Sequence, residues 1–201
     1  MKIRITVGEL NYGDVAVKAM PIIAKAMEGR EGAAAKAIAM VAGIPEEWIR
    51  GTLETIPRDQ INEVVVGFAE EYKPRLVQTI NQLSAEHRIG VTVSDVSVSR
   101  DMEIVMTVDR IDYLCVAERF LPVIKEKLLG LGGMVRLLRP VIEGASPAQV
   151  CGLMDRFLGD RKDSFVASMI NQNQQTLIAS AEDAAKKQNI RLTIRELDVQ
   201  A

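Results

Sequence analysis

The stretches Lys2-Ile3-Arg4-Ile5-Thr6-Val7 and Glu103-Ile104-Val105-Met106-Thr107-Val108 decide the fold. In each, the apolar side chains take alternate positions: Ile3, Ile5 and Val7 in the first, Ile104, Met106 and Val108 in the second. That is the period of a half-buried strand. The two stretches lie 101 residues apart. Laying residues 2–98 over residues 103–199 at that offset, without a gap, gives 18 identities in 97 pairs, where average composition gives roughly 6. Tyr12 matches Tyr113, Pro21 matches Pro122, and four glycine pairs coincide (Gly29/Gly130, Gly32/Gly133, Gly43/Gly144, Gly51/Gly152). Punctuating residues held in register predict an internal duplication, with residues 1–101 as one copy and residues 102–201 as the other. A repeat this long is half of a pseudo-twofold pair, whereas solenoid units run to roughly 20–50 residues.

Outward from the opening strands, each element can be read twice. Asn11 and Asp112 stand where a short side-chain acceptor caps a helix start. The helix that follows puts Val15, Ala19 and Ile23, or Val116, Phe120 and Ile124, on one face. Pro21 and Pro122 fall inside it and either kink it or open a second short helix. Gly29 and Gly130 end that stretch, and a second helix runs to Gly43 or Gly144. A third begins at Pro45 in one copy and at Ser146-Pro147 in the other. Asp59 and Asp160 then cap a long helix reaching about residues 87 and 188. Closing strands follow at residues 89–98 and 190–199. Their apolar phase switches near Ser94-Asp95 and Arg195-Glu196, which predicts a bulge at the same point in both. Each copy reads β-α-α-α-α-β. The short join predicts a hairpin at residues 96–106 that could fuse the copies in one domain. The expected fold is α+β: an antiparallel sheet of about four strands, helices packed on one face.

Composition narrows the function. The chain has 201 residues, 25 Lys plus Arg against 27 Asp plus Glu, a net charge of −2 and a pI near 5.6. No basic excess points to nucleic acid or anionic lipid. The longest uncharged run, residues 164–181, contains Asn171-Gln172-Asn173-Gln174-Gln175 and suits no membrane span. The first residues carry no apolar leader region, and Cys115 and Cys151 form no CxxC pair, so a cytoplasmic protein is expected.

No catalytic set, metal set or cofactor motif is legible: no HExxH, no GxSxG, and one histidine, His87, at the polar end of a helix. The expected role is therefore non-catalytic binding or assembly through apolar helix surfaces. The alternative is a small anionic ligand, or an enzyme acting on one, held at a glycine turn before a helix. Gly130, Gly132, Gly133 and Arg136 are its candidates, with Asp112 and the paired tyrosines Tyr12 and Tyr113 as further ligand contacts. For assembly, residues 128–142 hold nine large aliphatics. Met134, Leu137, Leu138 and Val141 form one stripe on a helical wheel; Val135 and Ile142 extend it to a second face. Leu131, Val135, Leu138, Ile142 and Trp48 are the interface candidates, for a homodimer or a protein partner.

Overall fold

The computed structural model describes residues 1–27, 44–132, 135 and 138–201. In chain order the elements are β1 (Lys2–Leu10), α1 (Tyr12–Met27), α2 (Glu46–Thr55), α3 (Arg58–Glu71), α4 (Lys73–Glu86), β2 (Val91–Val98), β3 (Glu103–Ile111), α5 (Tyr113–Gly130), α6 (Arg139–Gly144), α7 (Pro147–Leu158), α8 (Lys162–Gln172), α9 (Gln174–Lys187) and β4 (Leu192–Gln200). They make a mixed α+β fold on a four-stranded, open antiparallel sheet in the order β2-β3-β1-β4. The expected stops at Gly29 and Gly43 lie outside the described residues.

β2 and β3 form the hairpin the short join requires. Val98 pairs with Ile104, and Met102 closes the turn at a positive φ of 57°, its N–H donating to the Ser99 carbonyl at 3.0 Å. All seven residue pairs between β2 and β3, from Val91↔Ile111 to Val98↔Ile104, recur between β4 and β1 with every number moved by 101, from Leu192↔Leu10 to Val199↔Ile3. The irregularities recur too. Ser94 on β2 and Arg195 on β4 are left unpaired, as are Asp109 on β3 and Gly8 on β1, and the skipped residue on β2 and β4 is why the apolar phase switches there. In the centre, Ile3 pairs with Met106 and Ile5 with Ile104, so these apolar side chains share one face of the sheet. Lys2 and Arg4 alternate onto the other face.

The edges of both outer strands are partly capped by helix side chains. On the β2 side, Asn81 of α4 accepts from the Val93 N–H at 2.7 Å and donates its amide to the Val93 carbonyl at 2.9 Å. Ser84, one turn on, accepts from the Val91 N–H at 3.2 Å. On the β4 side, Asn171 of α8 makes the same two-way contact with Val199, both at 2.9 Å, and Glu182 of α9 accepts from the Ile194 N–H at 2.7 Å. A side-chain amide thus copies the hydrogen bonds of a neighbouring strand, which blunts the edge.

Among the described residues, the main hydrophobic cluster is formed by the second half of the chain. Ile124, Leu128, Ile142, Val150 and Met154 are fully buried, and Phe165, Val166 and Met169 pack with them. Ser146 starts α7 with a reciprocal cap: its hydroxyl accepts from the Gln149 N–H while the Gln149 side chain accepts from the Ser146 N–H.

Three sequence expectations are corrected. The long helices are each two helices, broken at Tyr72 and Asn173. Pro74, which cannot donate a backbone hydrogen bond, resets the first. In the second, Asn173 turns its own amide onto the Met169 carbonyl at 2.8 Å. Asp59 and Asp160 do not cap them, since α3 starts from Pro57 and α8 from Arg161. The second helix of the later copy does not run unbroken to Gly144 either: α5 ends at Gly130 as expected, but α6 starts afresh at Arg139 with Pro140 in its first turn.

Candidate functional site

Asp14 anchors the most strongly ionic locus among the described residues. It is 5% exposed in the first turn of α1. The Asn11 side chain accepts from its N–H at 2.9 Å, the N-cap expected from the sequence. The Asp14 carboxylate accepts from Arg50 of α2 at 3.3 Å and from Arg191, just before β4, through the backbone N–H at 3.3 Å and Nε at 2.9 Å. The Arg191 contacts hold the Asp14 carboxyl below the usual carboxylate range against the opposing effect of burial. The network ties α1, α2 and β4 together. The residues 101 positions away are Cys115, Cys151 and Gly90, and burial pushes both thiols up, away from the reactive thiolate.

The two tyrosines occupy matched places. The Tyr12 hydroxyl donates to Asn62 of α3, and the Tyr113 hydroxyl donates to Asp163 of α8. Asn62 and Asp163 are themselves 101 residues apart. Burial raises both phenols, and the Asp163 contact adds to the rise at Tyr113, so neither is primed to release a proton near neutral pH. Each hydroxyl ties the start of its helix to a later one, α1 to α3 and α5 to α8. Asp112 likewise serves the structure, because its Oδ1 accepts from the Leu114 and Cys115 N–H groups at 3.0 and 3.3 Å. These bonds cap α5 and lower the Asp112 carboxyl.

The glycine turn lies beside a cavity. Gly130 is the last residue of α5 and lines a space of about 590 Å³ together with Lys127, Phe165, Ser168 and Gln172. Gly132 takes a φ of +73°, a conformation natural to glycine. Gly133 and Arg136 lie outside the described residues. The cavity was not legible because Lys127 and Ser168 read as ordinary polar helix positions; only the crossing of α5 and α8 brings them together.

Of the interface candidates, Val135 is 7% exposed and Ile142 is not exposed at all, so the chain itself covers both. Leu138 is half-buried, while Leu131 and Trp48 are half or more exposed. The wheel inverted the end of this segment, because Val141, placed on the covered stripe, is 57% exposed. The restart at Pro140 changes the helical phase. Sequence reasoning missed Val64 and Phe68 of α3, which are 71% and 52% exposed. Phe68 stacks on Tyr72 with ring centroids 4.4 Å apart.

Among the described residues no three His, Cys, Asp or Glu side chains gather closely enough to share a metal ion, and no helix is long and apolar enough to cross a membrane. No protein-family model matches the chain, and no similar curated protein or solved structure is found.

Proposed function

We propose that this chain is an internally duplicated, pseudo-twofold protein whose role is non-catalytic assembly, and that it pairs with a second copy of itself through α3. One observation carries the reading. Phe165 and Met169 on α8 are 8% and 2% exposed, whereas the residues at the matching positions of α3, Val64 and Phe68, are 71% and 52% exposed. Among the described residues, the same helix is a core element in one half and an uncovered apolar stripe in the other. Val64, Phe68 and Tyr72 stand four residues apart, on one side of the helix. A stripe of this kind is self-complementary, since an antiparallel pairing across a twofold axis lets each copy cover the other.

The duplication is supported by the sheet register, which repeats at an offset of 101, and by the paired tyrosine contacts. The side-chain contacts at Val91 and Val93 on β2 and at Ile194 and Val199 on β4 hinder an added strand at those positions, which favours association through the helices. The candidate surface thereby moves from the second copy, where Val135 and Ile142 are enclosed, to the first.

Sedimentation of the wild type and of Phe68→Asp, each checked by circular dichroism, tests this. The wild type is expected at twice its 22.1 kDa chain mass, and the variant as a folded monomer. A wild-type monomer throughout the micromolar range would sink the proposal, as would a Phe68→Asp protein that remains a dimer.

A further inference from the structure

We infer that the cavity between α5 and α8 is a binding site for a small organic anion with an apolar body, of the carboxylate class, in which Lys127 meets the charge. Lys127 lies on α5 with its ammonium 5.7 Å from the centre of the Phe165 ring, donating to the Ser168 hydroxyl at 2.7 Å. Among the described residues no carboxylate comes within 4 Å of it, although nine such ion pairs form elsewhere. Burial alone draws Lys127 below the ordinary ammonium value. A cation losing hydration without a counter-charge is destabilised, and an entering anion restores what it lost.

The rest of the lining selects the ligand. Ser168 accepts from Lys127, so its own proton is free to reach a ligand oxygen, and the Gln172 amide offers a further donor. Phe165, Val123 and the half-exposed Leu131 supply apolar wall. Glu126 also lines the space and repels a ligand carrying a second charge along the rim. At about 590 Å³ the cavity has the size of a small-molecule site. The chemistry is confined to one half of the chain, because the residues 101 positions before Lys127, Ser168, Phe165 and Gln172 are Ala26, Gly67, Val64 and Glu71. A contact kept only for packing needs no such set of differences.

The test is calorimetric titration with sodium octanoate, 1-octanol and inorganic phosphate against the wild type and Lys127→Gln. Octanoate is expected to bind saturably to the wild type. Octanol and phosphate are expected to bind at least tenfold more weakly, and Lys127→Gln is expected to lose the octanoate signal while keeping its melting temperature within a few degrees. Equal binding of octanol, undiminished binding by Lys127→Gln, or no saturable octanoate binding at millimolar concentration would each overturn the inference. Should Lys127→Gln fold poorly, Ser168→Ala serves in its place, with a drop in octanoate affinity of roughly tenfold expected for one lost hydrogen bond.

Discussion

Replacing Asp14 by Asn keeps the shape of the side chain and removes the charge that joins α1, α2 and β4. The wild-type carboxylate accepts three hydrogen bonds, from Arg50 Nε, Arg191 N and Arg191 Nε. A hydrogen bond to a charged group contributes about 1.5–3 kcal/mol when well shielded. Here the two guanidiniums are not equally shielded: the Arg191 side chain is 68% exposed and the Arg50 side chain 34%, so water screens much of the attraction. Discounted in this way, the charge contributes about 2–3 kcal/mol in total, which for a chain of this size lowers the melting temperature by roughly 5–10 °C. The sign with pH follows from the direction of the shift. Asp14 is held below its unfolded value, so its contribution is present above about pH 4 and disappears as the pH falls through the folded value. Urea denaturation of wild type and Asp14→Asn between pH 7 and pH 3 should give a gap that is largest at neutral pH and narrows below about pH 4. Arg191→Ala should cost less in the Asp14→Asn background than in the wild type. An Asp14→Asn variant as stable as wild type at pH 7, or a gap that stays constant down to pH 3, would refute this account.

Three further outcomes are expected. Asn81→Ala strips Val93 of both partners, which should cost about 1–3 kcal/mol in chemical denaturation and raise the rate of thioflavin-positive aggregation by opening the β2 edge. Gly90→Ala should lower stability by at least about 2 kcal/mol, because φ there is +78° and an added Cβ would lie 2.6 Å from Cys115 Cβ and 2.9 Å from the Asp112 carbonyl oxygen. Met154→Ala, at a fully buried position, should cost about 2–5 kcal/mol, while the matching change at half-buried Leu53 of α2, Leu53→Ala, should cost less than half as much in the same urea titration.

The strands, the hairpin and the bulges were legible because they rest on a period of two, and a break in that period has one simple reading. The caps at Asn11, Asp112 and Ser146 were legible for a similar reason: the chemistry is local and needs no knowledge of what lies opposite. What was not legible depends on long-range crossing. Asn81, Asn171 and Glu182 sit at helix positions that read as solvent-facing, and nothing in their neighbourhood announces that a strand edge passes beneath them. Lys127 and Ser168 are 41 residues apart and become a pair only through the angle between α5 and α8. The segment after Gly130 misled because a helical wheel presumes one unbroken helix, and Pro140 restarts the count. The contrast between α3 and α8 is the same kind of blind spot, since Val64 and Phe68 read as apolar helix positions just as Phe165 and Met169 do, and the sequence does not say which pair is covered.

The pairing of β1 with β4 has one more consequence. Lys2 lies opposite Gln200, so the first and last strands run side by side in the register that the hairpin gives to β3 and β2. At the hairpin, four residues separate Val98 from Glu103; at the other end, Gln200, Ala201 and Met1 lie between the equivalent positions Val199 and Lys2. The open ends of β4 and β1 therefore lie as near one another as the ends that the hairpin joins, and a short link from β4 to β1 with a cut between Ser99 and Met102 would exchange the order of the two halves while keeping every strand pairing. In this geometry, which half is synthesised first is a matter of where the chain is cut, and the sheet is indifferent to it.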